Sequence, residues 1–205
     1  MPKNPGRLEL EHLERTFAAT RGVVGGIGPA QLTLPTPCSE WDVRAVLNHM
    51  IGGSYWYAAT ARDGVSPPME DEDDDYAAGD LLAAFDEGAR QAIAAFGADG
   101  VLDGEIVLIG NRLPARVPLA LLCIDSFTHG WDLAIATGAG RDLDRDLAEL
   151  LLELAPRVLP EGLRGTYEGS LYQPRAAAPG ASPPADRLAA HLGRVVPPAA
   201  TPTTG

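Results

Sequence analysis

Three side chains on two helix-like segments have the types and the spacing to hold a divalent metal ion. His49 lies near the end of TPCSEWDVRAVLNHMIGG (residues 36–53), and Asp125 and His129 sit four positions apart in PLALLCIDSFTHGWDLAIATG (residues 118–138). On a helix that spacing stacks the carboxylate and the imidazole on one face, one turn apart. Two imidazoles and one carboxylate form a three-ligand set that leaves coordination positions open for water or substrate. Metal sites in helical bundles are built this way, from ligands on facing helices. The face that carries Asp125 and His129 also carries Pro118, Leu121, Leu122, Leu133 and Ala136, and burying an unpaired carboxylate and imidazole on such a stripe is costly. Either an ion satisfies them, or Asp125 and His129 satisfy each other and other buried polar groups, with His49 an ordinary half-buried histidine.

The neighbours extend the candidate site. Ala45, Val46, Gly52 and Gly53 surround His49 at one-turn spacing and leave room beside its ring. Asp132, one turn after His129, is the candidate catalytic residue, as an acceptor that orients an imidazole. Trp41, Trp56 and Trp131 are large enough to wall a pocket, and Arg44 and Arg112 are cations that could meet an acidic substrate. Of these, Trp56 and Arg44 are the candidates for contact with a cofactor; core packing and surface salt bridges are the plainer readings. His12, in a charged first helix, reads as solvent-facing, and His191 as packed on the surface or covering the mouth of the site. Cys38 and Cys123, the two cysteines of the chain, read as buried small hydrophobes rather than reactive thiols.

These residues need elements to position them. Apolar periodicity predicts a helix over residues 7–27, then a Pro-rich loop, then a helix over about 40–61 opened by Ser39 in a capping-box-like start. A third helix spans 80–96, and GEIVLIGNRLPARV (104–117) reads as a short hairpin or an extended excursion, with Gly110-Asn111 as its turn. A fourth helix begins near Pro118 and ends at Thr137-Gly138, and a fifth covers 144–159. From residue 172 an extended segment is expected to wrap over the body and end in a short helix at 184–192. The fold class is all-α: a four-helix bundle, 1–198 as one domain with 142–198 a short C-terminal extension, and 199–205 a disordered tail.

Composition narrows the partners. With 205 residues the chain can enclose a full core, and a formal charge of −12 argues against a nucleic-acid or anionic-membrane surface. Part of that charge is the run EDEDDD at 70–75, read as a solvated, mobile loop with a loose cation site as the lesser reading. Two cysteines make no disulfide framework, no secretory signal opens the chain, and no apolar run reaches the ~20 residues a bilayer requires. A reducing, cytoplasmic setting is the expectation. The apolar faces of the first and third helices can bury each other within one chain or across a homodimer.

TPCSEWDVRAVLNHMIGG, DSFTHGWDLAIATG and the tail ADRLAAHLGR resemble the DinB-like metal-binding superfamily, in its branch related to mycothiol-dependent maleylpyruvate isomerase. The resemblance extends over nearly the whole chain and is weakest over residues 62–116. It implies a DinB-like four-helix bundle holding a divalent ion, most often zinc with nickel or iron as alternatives, through His49, Asp125 and His129. Where the isomerase branch has Glu this chain has Asp125, a carboxylate one methylene shorter, and the longer C-terminal domain of the isomerase is absent or reduced to residues 142–198. The implied activity is that of a metal-dependent thiol transferase or isomerase, activating a low-molecular-weight thiol such as mycothiol toward an electrophilic small molecule. A non-catalytic module that holds a metal or small ligand, as a stress or self-protection protein, is the competing reading. An iron and dioxygen site with the same ligand types is a third.

Overall fold

The computed structural model describes residues 8–68, 74–165 and 172–198. Most of the acidic run and all of the expected disordered tail at 199–205 lie outside the described residues. Six α-helices are described: α1 (Leu10–Val24), α2 (Val43–Asp63), α3 (Leu81–Phe96), α4 (Arg116–Thr137), α5 (Arg145–Val158) and α6 (Pro184–His191). Between α3 and α4 lies an antiparallel hairpin of β1 (Glu105–Leu108) and β2 (Asn111–Pro114), with Val107 opposite Arg112. The protein is mostly helical, with one two-stranded sheet among the described residues.

Local chemistry sets the helix starts. Asp42, Asp80 and Asp144 each accept a hydrogen bond from a backbone N–H three residues on, at Ala45, Ala83 and Leu147, satisfying a donor the first turn leaves open. The cap of α2 is therefore Asp42 rather than Ser39, and Trp41 precedes the helix instead of belonging to it. At the start of α1, Nδ1 of His12 accepts from the Glu9 N–H at 2.9 Å, and the residue is 9% exposed. The expectation of a solvent-facing His12 is overturned: the ring folds back on its own helix terminus.

Helices α1 to α4 form the bundle, with α1 and α2 each packed against both α3 and α4. Helices α5 and α6 pack on each other and on α4. That arrangement encloses α4, whose Leu119, Leu122, Cys123, Phe127, Trp131, Leu133 and Ala134 are all at most 1% exposed. Each fully buried large apolar side chain contributes about 1.5–3 kcal/mol. An 18-residue window of the 22-residue α4 has a mean hydropathy of 1.2, enough to cross a membrane by length and composition alone, but 78% of that window is buried inside the protein. Its apolar surface is spent on the core, which is why it is apolar nearly all round.

Candidate metal centre

The segment TPCSEW closes into a tight loop before α2. The Thr36 hydroxyl donates to the Trp41 carbonyl at 2.8 Å and accepts from the Cys38 N–H at 3.1 Å, while Trp41 N–H donates to the Cys38 carbonyl at 2.8 Å. This loop lays the Trp41 ring 4.6 Å from the His49 ring and 5.6 Å from that of His129. His49 comes from α2, Asp125 and His129 from α4, and the packing of those two helices brings them together.

Each Asp125 oxygen faces one imidazole: Oδ2 lies 3.5 Å from His49 Nε2, and Oδ1 lies 3.5 Å from His129 Nε2. The ligating atoms of the three residues lie within 4.8 Å of one another. At 3.5 Å each contact is longer than an ordinary hydrogen bond. Two donors each about 2.1 Å from one tetrahedral ion stand roughly 3.4 Å apart, so the set fits an ion such as zinc in spacing as well as in donor type. Burial acts to raise the Asp125 carboxyl; the imidazoles of His129 and then His49 outweigh it and hold it down at about 2. A carboxylate that stays ionised beside two imidazoles is a ready cation ligand. Asp125 and His49 remain 35% and 28% exposed while His129 is 6% exposed, so the set opens on one side.

The other candidates fall into place differently. Asp132 is fully buried, its Oδ2 3.0 Å from His129 Nδ1, and Arg194 binds both of its oxygens at 3.0–3.3 Å. Asp132 thus touches the His129 imidazole and Arg194 rather than the open side of the centre. Arg44 forms an exposed ion pair with Asp75, and Arg112 lies 3.5 Å from Glu105 on the hairpin. Trp56 donates its indole N–H to the Pro67 carbonyl at 3.2 Å and packs edge-on against Tyr57. Trp131 is in the core, its N–H on Asp186.

Four residues that spacing did not single out as site residues border the centre. Cys38, half-buried, has its sulfur within 4.8 Å of ligating atoms of His129 and Asp132; burial pushes its thiol up, partly offset by Arg194. Cys123, by contrast, is buried and pushed up to about 12, an inert thiol. Burial, then the negative charge of Asp125, pushes up both the Tyr57 hydroxyl and, to about 12, that of Tyr172, which places both near that carboxylate. Arg194 is the fourth. Tyr57 follows His49 by two helical turns and was open to detection; Tyr172 and Arg194 reach the centre only through the tail.

The family described as mycothiol maleylpyruvate isomerase N-terminal domain matches residues 13–134, from Leu13 in α1 to Ala134 in α4, with all three convergent ligand candidates. An uncharacterized protein of Mycobacterium tuberculosis (strain CDC 1551 / Oshkosh) is 33% identical over 183 residues, covering 89% of this chain and 96% of its own. Another, from Mycobacterium tuberculosis (strain ATCC 25618 / H37Rv), matches with the same identity and coverage. No solved structure gives a significant match. The bundle, the loop that sets Trp41 over two imidazoles and the sequence match agree, and the chain belongs to the mycothiol maleylpyruvate isomerase N-terminal domain family.

Proposed function

We propose that the protein is a metal-dependent thiol transferase or isomerase that joins a low-molecular-weight thiol, mycothiol or a close equivalent, to an electrophilic small molecule. The observation that carries this reading is the convergence of His49, Asp125 and His129 on one open-sided point. His49 Nε2, His129 Nε2 and the Asp125 carboxylate would hold the ion, with zinc the first choice for this donor set and nickel or iron alternatives. A bound divalent ion supplies the Lewis acidity that lets a coordinated thiol lose its proton near neutral pH.

The protein's own groups do the rest. Asp132 hydrogen-bonds His129 Nδ1 at 3.0 Å and so turns Nε2 toward Asp125. Trp41 covers one side of both imidazoles and keeps water from it. Tyr57 and Tyr172, held neutral by burial, offer hydroxyl donors near the Asp125 side of the centre. The thiol would add across the electrophile's double bond, its sulfur to the electrophilic carbon and a proton equal to the one it released to the other atom, and would either stay as a conjugate or be expelled again with loss of that proton after isomerisation. A reducing, cytoplasmic setting suits both the thiol substrate and the free Cys38.

Elemental analysis of untagged protein tests the centre first. Near one ion per chain is expected in wild type, and little in His49→Ala or Asp125→Ala. Metal-dependent consumption of thiol with an electrophile, lost in His49→Ala, would then establish turnover. Stoichiometric metal without any thiol consumption would favour the non-catalytic binding module, and absence of metal uptake from added zinc, nickel or iron would end the enzymatic reading.

A further inference from the structure

Arg194 sits 62 residues beyond Asp132 in the chain, yet its Nε lies 3.3 Å from both carboxylate oxygens and its Nη2 3.0 Å from Oδ2. Asp132 has no solvent exposure and the Arg194 side chain is 12% exposed. The turn that delivers the arginine is specific. Gly193 has φ +91, and a Cβ there would meet Gln173 Cβ at 2.4 Å and the Pro174 carbonyl at 2.9 Å, so only glycine lets the chain turn tightly out of α6. Arg194 Nη1 also donates to the Leu192 carbonyl at 3.2 Å, which leaves the guanidinium little freedom to rotate.

We propose that Arg194, supplied by the C-terminal tail, is a positioning residue of the metal centre: by gripping both oxygens of Asp132 it fixes the tautomer and the orientation of His129. The inference rests on the metal reading above, but its core concerns hydrogen bonding that exists without the ion. A guanidinium fork matches the plane of a carboxylate, so Asp132 cannot swing, and its Oδ2 stays on the Nδ1 edge of the imidazole. The ring is thereby held with Nδ1 on Asp132 and Nε2 facing Asp125. Partners of this kind behind a metal-binding imidazole alter affinity by about 10- to 100-fold. Charge alone works the other way: a cation held near a cation site repels the ion.

The test reads His129 directly. In metal-free protein, nitrogen NMR of the wild type is expected to show His129 Nδ1 protonated and hydrogen-bonded whatever the state of Nε2, and Arg194→Ala a mixture of ring states. In competition with a chromophoric chelator, Arg194→Ala is expected to lose about 10- to 100-fold in zinc affinity, and Arg194→Lys, which keeps the charge without the fork, a smaller part. Arg141→Ala cuts a different tail anchor, to Asp186 and the Pro197 carbonyl, and is expected to lower Tm while leaving tautomer and affinity unchanged. A folded Arg194→Ala with the wild-type tautomer and affinity, or with tighter zinc binding, overturns the proposal. So does an equal loss in Arg141→Ala. If Arg194→Ala does not fold, Arg194→Lys decides by the same two readouts. Should wild type take up no zinc, the metal reading fails by itself, and the tautomer still judges Arg194.

Discussion

At the scale of single residues, this protein holds its titratable groups in the state that local burial and charge select. Asp125 stays ionised although burial opposes it, because two imidazoles flank it. His191 shows the reverse case. Its ring is pushed down from 6.5 to about 4, first by burial and then by the charges of Arg164 and Arg175, and its Nε2 is buried with no hydrogen-bond partner. The fold therefore favours the neutral imidazole, and the unfolded chain takes up the proton first. Stability is full above pH 6.5 and is lost as pH falls toward 4. His191→Gln cannot titrate, so its urea midpoint is expected to fall less steeply than that of wild type across this window. Parallel curves for the two proteins would contradict the assignment.

At the scale of elements, the centre depends on how closely α1 lets α4 approach. Gly130, next to His129, faces Thr20 of α1: a Cβ there would lie 2.8 Å from Thr20 Oγ1, 3.1 Å from Cγ2 and 3.3 Å from Cβ. Thr20 cannot easily yield, since its hydroxyl donates to the Thr16 carbonyl at 3.0 Å and lies 3.3 Å from the Ser126 carbonyl. Gly130→Ala gains about 0.5–1 kcal/mol of helix preference, but overpacking costs about 1–3 kcal/mol, so the second effect wins. A Tm lower by a few degrees is expected in thermal melts, with weaker zinc binding as α4 shifts His129. Adding Thr20→Ala, which removes the two closest atoms, should recover part of the loss. The loop Thr36–Asp42 acts at the same scale, because its internal hydrogen bonds fix the backbone that sets Trp41 over the imidazoles.

At the scale of the whole molecule, the tail is part of the bundle. Trp131 on α4 donates to Asp186 on α6 at 2.8 Å, and Arg141 lies 3.3 Å from the other Asp186 oxygen. Asp186 is 1% exposed, so Asp186→Ala leaves a buried indole N–H without its acceptor, at a cost of about 1–3 kcal/mol. A Tm lower by several degrees, and faster cleavage within residues 172–198 on limited proteolysis, are expected. An unchanged Tm would mean that the tail unfolds separately from the bundle.

Much of this architecture is written locally. The period of apolar residues located the helices, the Gly110 turn signal marked the hairpin, and the four-residue spacing of Asp125 and His129 determined that they share a face. Such features depend on backbone geometry within a few residues, and any helix with that spacing must show them. Caps were less legible: Ser39 and Asp42 are both competent cap residues, and only the backbone path chose Asp42. The partners of charged groups were not legible at all. Surface salt bridges were the plainer reading of Arg44 and Arg112, but only the fold named their partners as Asp75 and Glu105. Arg194 ends the tail ADRLAAHLGR that carried part of the resemblance, yet nothing there named its partner until the turn at Gly193 brought it 62 residues back to Asp132. Sequence by itself determined which residues could ligate, because that is a matter of side-chain chemistry and helical period. Only the tertiary structure decided which carboxylate bridges the imidazoles and which arginine holds the other, because those pairings follow from how distant segments pack.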